Sequence, residues 1–131
     1  MKIAFISKGN AIRSIIAESI TRKIVKELSL NAEVFSAGVE PKKEVNPLTF
    51  KVLQEKGYPL RKLYPKPLNK IPYENIDILI TIGDSARKQC DFVLSHKRRE
   101  SWFVDCPSDS LDSFRQTREE IEELLRKLFK L

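Results

Sequence analysis

A short stretch near the amino terminus, Phe5 to Ser14, carries the side chains with the clearest chemical potential. It follows an apolar run and precedes a segment with isoleucines at helical spacing, so it is predicted to join a buried strand to a helix. Gly9 gives the loop its conformational freedom. Backbone N–H groups at a helix start have no partner within the helix, and the guanidinium of Arg13 matches the oxygens of a phosphate-like anion. The predicted oxyanion cradle comprises Ser7, Lys8, Gly9, Asn10, Ala11, Ile12, Arg13 and Ser14.

The length and composition are those of one domain. The chain has 131 residues, 41% of them hydrophobic, so residues 1–131 are expected to form a single domain with its own core. No run reaches the length of a membrane span and no signal-peptide segment is evident, which predicts a cytoplasmic protein with no membrane partner. Lys plus Arg exceed Asp plus Glu, 24 against 18, and this charge favours anionic ligands. Aromatic residues do not alternate with the basic ones, so nucleic acid is not an expected partner.

The two cysteines, Cys90 and Cys106, are too few for a disulfide framework or a zinc site. Both are more typical of small packed residues than of redox groups. The only histidine, His96, lies among basic residues and is expected to be solvated. No metal or cofactor is therefore expected, and the protein is expected to be a monomer.

The elements that must position the loop alternate between strand and helix. The predicted strands are Ile3–Ile6, Ala32–Gly38, Ile76–Ile82 and Phe92–Leu94. The predicted helices are Arg13–Leu28, Asn46–Lys56 with Asn46 as its N-cap, a short one from Gly83 and Asp84 through Arg87 or Gln89, and Leu111–Leu128. Residues 58–73 are rich in proline and predicted to be irregular, and residues 96–109 are predicted to form a loop. This alternation predicts an α/β fold, a doubly wound four-stranded parallel sheet flanked by helices.

In such a sheet, ligands lie beyond the carboxyl ends of the strands, next to helix N-termini. The Ser7–Ser14 loop occupies that position for the first strand. The Gly83–Ser85 segment occupies it for the most apolar strand, and residues Val104–Pro107 are expected to approach the same edge.

These motifs resemble those of the low-molecular-weight protein tyrosine phosphatases and the thioredoxin-coupled arsenate reductases. The matching segments, which cover nearly the whole chain in order, are Phe5–Ser14, Ala17–Glu18, Ser36–Pro41, Val45–Pro47, Thr81–Asp84 and Trp102–Pro107. The resemblance implies the fold of that superfamily and the binding of phosphate, arsenate or sulfate, with a phosphotyrosine protein as a candidate partner. The short chain and the lack of paired tyrosines after the late motif favour the arsenate-reductase branch.

The family pattern is a cysteine followed after five residues by an arginine, with an Asp-Pro pair later in the chain. Two positions of this sequence depart from it. Ser7 stands at the position of the nucleophilic cysteine, and a serine hydroxyl keeps its proton unless a base removes it. Cys106 stands at the position of the general acid, and Asp105, one residue earlier, is the candidate acid. Of the two relay cysteines of the arsenate reductases, Cys90 matches the later one and Gly83 stands at the earlier one.

Two interpretations of Ser7 stay open. If Ser7 is an engineered replacement of cysteine, the parent is a protein tyrosine phosphatase that forms a phosphocysteine, with Arg13 stabilising the equatorial oxygens and Asp105 as acid. If Ser7 is native, the chain is a catalytically inactive pseudo-phosphatase that acts as an oxyanion- or phosphoprotein-binding regulator. The second departure, at Cys106, favours natural degeneracy. A loop hydroxyl without chemistry is favoured over a serine nucleophile.

The resemblance also implies a supporting site. In the arsenate-reductase branch, potassium is held by residues that match Asn10, Glu18 and Ser36. The remaining acidic ligand corresponds to Lys66, whose ammonium is expected to take the place of the cation and to pair with Glu18. In the alternative interpretation, Asn10 orders the loop, Glu18 is a carboxylate on a helix surface and Ser36 ends a strand.

Overall fold

The structure is a computed structural model that describes residues 1–90 and 98–131. Its strands are β1 (Lys2–Ser7), β2 (Glu33–Gly38), β3 (Ile78–Ile82) and β4 (Arg98–Trp102). Its helices are α1 (Arg13–Glu27), α2 (Pro47–Glu55), α3 (Asp84–Cys90) and α4 (Leu111–Phe129), and two short 3₁₀ turns span Leu68–Lys70 and Tyr73–Asn75.

All four strands are parallel and follow the order β2-β1-β3-β4. Ser7 pairs with Gly38 at the end of β2, and Ile82 of β3 pairs with Trp102 of β4. The carboxyl ends of the strands therefore meet at one edge, where the loop after β1 leaves the sheet. This architecture confirms the predicted doubly wound α/β fold.

Successive side chains of β1 point to opposite faces of the sheet, and each face is covered by its own hydrophobic core. Ile3 and Phe5 pack into a core with residues of α1, α2 and α4. Ala4 and Ile6 pack on the other face, with Ala86 of α3 and the segment that leads into β3. The inner strand β1, buried on both faces, thus carries the loop that follows Ser7.

Most of the predicted elements are confirmed to within one or two residues. The side chain of Asn46 accepts a hydrogen bond from the Leu48 amide at 3.0 Å, as expected of an N-cap before a proline. Gly57 follows α2 with a φ of +71°, a backbone angle that favours glycine at the end of a helix.

The prediction of a loop over residues 96–109 was wrong for Arg98–Trp102, which forms β4. This edge strand is charged and only its last residue is buried, so it lacks the apolar run that signals a strand. Its strand character comes from the ladder with β3, a long-range pairing. The predicted strand Phe92–Leu94 and His96 lie outside the described residues.

Candidate oxyanion-binding site

The loop between β1 and α1 is held by its carbonyl groups. The amides of Val39, Glu40 and Lys42 donate to the carbonyls of Ser7, Lys8 and Gly9 at 3.2, 2.8 and 2.9 Å. In a trans peptide the N–H points away from the preceding C=O, so the next amides of the loop point to the opposite side. No amide of residues 8–14 has an acceptor among the residues that the structure describes. The loop therefore presents a set of backbone N–H donors that have no partner among the described residues.

These donors border a cleft of about 460 Å³, a size that accommodates a phosphorylated side chain. The residues that line it are Ser7, Lys8, Gly9, Asn10, Ala11, Ile12, Arg13, Glu40, Lys42 and Cys106. Three of these residues, Lys8, Arg13 and Lys42, are cationic, and one, Glu40, is acidic. Sequence analysis missed Glu40 and Lys42, although both follow β2, the strand that pairs with β1 in the sheet.

Arg13, the first residue of α1, is held at the sheet edge. Its Nη1 donates to the carbonyl of Val104 at 2.8 Å, which ties the guanidinium to the segment after β4. Gly83 follows β3 with a φ of +94°, and a Cβ at this position would lie 2.7 Å from the same Nη1. The three segments that were expected to share one edge of the sheet do meet there. Gly83, where the resemblance implies a relay cysteine, makes room for Arg13.

Ser7 lies at the base of the cleft and is only 2% exposed. Its Oγ is 2.6 Å from the Oγ of Ser14, and either hydroxyl can donate. The Oγ of Ser14 also accepts a hydrogen bond from Asn10 Nδ2 at 2.7 Å. Within residues 1–90 and 98–131, no carboxylate or imidazole forms a hydrogen bond with Ser7. The hydroxyl is therefore positioned, but none of the described residues is placed as a base to remove its proton.

Asn10 connects the loop to the rest of the fold from a buried position with a φ of +49°. Its Nδ2 also donates to Ser36 Oγ at 3.0 Å, and its Oδ1 accepts from the backbone amide of Lys66 at 2.9 Å. Ser36 Oγ in turn donates to Glu18 Oε1 at 2.5 Å. A continuous hydrogen-bonded network thus runs from Glu18 to Ser7.

Lys66 is nearly buried beside this network. Its Nζ lies 3.9 Å from Glu18 Oε1, 3.4 Å from Ser36 Oγ and 2.8 Å from the carbonyl of Tyr64, and it sits 4.5 Å from the centroid of the Tyr64 ring. Burial lowers the pKa of the Lys66 ammonium, and the Glu18 carboxylate opposes that change. Glu18 also forms an ion pair with Arg22. The structure therefore brings together the four residues of the expected supporting site.

In the segment after β4, Cys106 and Asp105 differ in their position relative to the cleft. Cys106 is an exposed free thiol that lines the cleft. Asp105 is exposed and is not among the residues that line it. The residue that faces the loop is therefore the one at the family position, and the carboxylate proposed as acid from the sequence lies outside the cleft.

Residues 1–90 and 98–131 contain neither a candidate metal-binding cluster nor a candidate membrane span. In these ranges, no three His, Cys, Asp or Glu side chains are grouped so as to hold a metal ion. No helix there combines the length and apolar character needed to cross a bilayer.

The fold and the loop define a class of small α/β proteins in which a loop with unpaired backbone amides follows the first strand. The family model of the low molecular weight phosphotyrosine protein phosphatases matches residues 2–131, and the chain belongs to this family. The resemblance found in the sequence is thereby confirmed.

Relatives with different activities have similar sequence identities to this chain. The protein-arginine-phosphatase of Bacillus subtilis is 31% identical over 99% of this chain and 95% of its own length. Arsenate reductase 2 of Staphylococcus saprophyticus is 27% identical over 97% of this chain and 95% of its own length. A solved structure of the YwlE arginine phosphatase, a Cys-to-Ser mutant with a phosphorylated active-site serine, has a TM-score of 0.86 and 30% identity over 99% of this chain and 94% of that chain.

Proposed function

We propose that this protein binds a phosphoryl group, presented as a phosphorylated protein side chain or as a free oxyanion, in its Ser7–Arg13 loop. The observation that supports this proposal is the set of unpaired amides at residues 8–13, all of which line one cleft that Arg13 borders. Phosphate, arsenate and sulfate share the tetrahedral oxygens that such donors recognise. A thiol is not required for this binding.

We further propose that the ligand is bound without rapid turnover. Ser7 forms its hydrogen bond with another hydroxyl, that of Ser14, so nothing in the described part of the site converts it to an alkoxide. A thiolate is ionised near neutral pH when cations surround it, whereas a serine in the same loop keeps its proton. Cys106 lines the cleft where an acid is needed, and Asp105 does not. The role that fits is that of a phosphoprotein-binding regulator.

A second candidate function is one transfer of a phosphoryl group to Ser7. The solved Cys-to-Ser mutant of the YwlE arginine phosphatase carries a phosphorylated serine in its active site. In this chain, Ser7 Oγ would form a bond to phosphorus while the bond between phosphorus and the side chain of the ligand breaks. The departing side chain takes up a proton, and the hydroxyl proton of Ser7 passes to solvent. Incubation with a phosphorylated peptide would then add one HPO₃ unit to the intact mass, and Ser7→Ala would prevent it.

Calorimetric titration with phosphate, arsenate and sulfate tests the primary proposal. Arg13→Ala is expected to weaken binding about tenfold or more, because a charge-assisted pair of hydrogen bonds is lost. Arg61→Ala is the matched control, since it removes the same charge from an exposed residue outside the cleft. Equal affinities in the wild type and in Arg13→Ala would overturn the proposal.

A further inference from the structure

A cluster of basic side chains lies on the surface of α1, outside the cleft. Three of its members belong to α1, and three belong to the segment that follows α2. The cluster, which we call the basic patch, comprises Arg22, Lys23, Lys26, Lys56, Arg61 and Lys62. None of the six is among the described residues that line the cleft. We propose that the basic patch is a second binding site, and that it binds an acidic segment of a partner protein.

Hydrogen bonds to backbone carbonyls hold the two parts of the basic patch together. Arg22 Nη1 donates to the carbonyl of Arg61 at 2.6 Å. Lys23 Nζ donates to the carbonyl of Lys56 at 3.5 Å. The segment 56–62 therefore runs across α1 and brings its own cations next to those of the helix. Because these contacts use the carbonyls of the segment, they do not engage the side chains of Lys56 and Arg61, which are exposed.

The cations of the basic patch outnumber the carboxylates that contact them. Within residues 1–90 and 98–131, the carboxylates that form ion pairs with the patch are those of Glu18 and Glu27. Glu18 is 2% exposed and also lies 3.9 Å from Nζ of Lys66, so its charge is shared between two cations. In the same ranges, the side chains of the other members form no hydrogen bond or ion pair, and all of them are exposed; they are Lys26, Lys56, Arg61 and Lys62.

A concentration of like charge opposes folding, because cations at short range repel one another. The basic patch has six cations for two contacting carboxylates, so it carries most of the chain's net charge of +6. Lys62 also has a φ of +57°, a left-handed angle that asparagine and glycine adopt more readily than lysine. Neither stability nor the backbone at this turn accounts for these side chains, whereas an anionic partner does.

The spacing of the cations fits an extended acidic chain. Arg22 and Lys26 are four residues apart, so they are separated by about 6 Å along the axis of α1. In an extended chain, every second side chain points to the same side, at intervals of about 7 Å. Single-stranded nucleic acid binds through aromatic rings that stack on bases, but the ring of Tyr58 beside the patch is covered by Lys23 Nζ, 5.2 Å from its centroid. Carboxylates of a polypeptide are therefore the favoured partners of the patch.

Fluorescence anisotropy of a labelled decaglutamate peptide at low ionic strength tests the proposal. The test variant combines Lys56→Gln, Arg61→Gln and Lys62→Gln, which removes three charges from the basic patch and keeps the carbonyls that α1 binds. It is expected to weaken peptide binding about tenfold or more, the combined effect of three exposed ion pairs. Binding by the wild type should weaken at high salt, because mobile ions screen exposed charges.

The matched control combines Lys70→Gln, Lys88→Gln and Lys130→Gln, which are changes of exposed lysines outside the basic patch. Lys130 has a φ of +57°, as Lys62 does. The control variant has the same net charge as the test variant and should bind the peptide nearly as well as the wild type. Arg13→Ala should also keep the affinity for the peptide, because Arg13 belongs to the cleft and not to the patch.

Three results would overturn the proposal. Equal losses of affinity in the test and control variants would show that net charge alone attracts the peptide. A lower melting temperature of the test variant would show that these cations are structural, whereas their mutual repulsion predicts an unchanged or higher one. Tighter binding of a duplex oligonucleotide or of phosphatidylserine vesicles than of the peptide, lost in the test variant, would assign the patch to that ligand instead of an acidic protein.

Discussion

The guanidinium of Arg13 occupies the space that a side chain at Gly83 would need. A Cβ at Gly83 would lie 2.7 Å from Arg13 Nη1, and the φ of +94° at Gly83 independently favours glycine. Arg13 begins the helix after β1, while Gly83 follows β3. Gly83, at the end of the neighbouring strand, therefore leaves room for the guanidinium of Arg13 because it has no side chain.

Gly83→Ala is expected to displace Arg13 and weaken phosphate binding about tenfold, because the charge-assisted hydrogen bonds to the ligand lose their geometry. Gly57→Ala is a matched control, since Gly57 has a φ of +71° but nothing within 4 Å of an added Cβ. It should cost about 1 kcal/mol of stability and leave phosphate affinity unchanged. Titration calorimetry with thermal unfolding separates the two effects. Undiminished affinity in Gly83→Ala would contradict the assigned contact.

Replacement of the hydroxyl at position 7 by a thiol is expected to create a reactive nucleophile. In a Cys106→Ser background, Ser7→Cys places a thiol among the unpaired amides and beside Arg13, an environment that lowers a thiol pKa. Iodoacetamide should alkylate it at neutral pH, and phosphate should protect it. A thiol that reacts no faster than free cysteine, with or without phosphate, would show that the loop does not stabilise an anion.

The same variant is expected to hydrolyse p-nitrophenyl phosphate measurably, whereas the wild type is expected to do so negligibly. Because Asp105 does not line the cleft, the gain should depend on a leaving group that needs no acid. Phenyl phosphate should therefore remain nearly unreacted. Steady-state rates with both substrates and with an added Asp105→Asn change check this. A large loss of rate on Asp105→Asn would show that Asp105 reaches the site as an acid.

Lys66→Ala is expected to lower the free energy of unfolding by about 1–3 kcal/mol, because it removes a buried hydrogen-bonding partner of the network under the loop. Potassium should restore part of the stability at constant ionic strength, and tetramethylammonium, which is too large, should not. Lys70→Ala is an exposed control and should change little. Denaturant unfolding measures each case. A potassium-dependent rise in the melting temperature of the wild type would show that a cation, and not the ammonium of Lys66, fills this position.

Glu55 connects α2 to α4 through ion pairs with Arg115 and Arg118. It should make the free energy of unfolding depend on pH. Hydrogen bonds from Arg115 at 2.5 to 3.1 Å and from Arg118 at 2.8 Å, the former contributing most, lower the pKa of Glu55 from 4.5 to about 2. A carboxyl with a lowered folded-state pKa adds stability above pH 4.5, and this contribution is lost as the pH falls to about 2. Glu55→Gln should lower the melting temperature at pH 7 and flatten its dependence over that interval. Glu120→Gln, an exposed change on α4, should do neither.

Local signals in the sequence were sufficient to place the loop between β1 and α1 and most of the elements around it. The apolar run before Ser7 and the helical spacing after Arg13 are neighbours in the chain, so their effect on structure is local. The left-handed backbone angle of the loop is at Asn10 and not at Gly9, where the sequence suggested conformational freedom. The same holds for Asn46 at the start of α2. The fold class followed from the order of these elements, because short connections between parallel strands allow few arrangements.

Only the tertiary structure decided which residues complete the cleft. Arg98–Trp102 forms a strand because β3 pairs with it, and the position of Val104 against Arg13 depends on that pairing. Cys106 rather than Asp105 lines the cleft, and Glu40 forms its wall because its amide reaches Lys8. These relationships join residues that are tens of positions apart in the chain. Periodicity and capping cannot reveal them, since such signals report only on neighbours within a few turns.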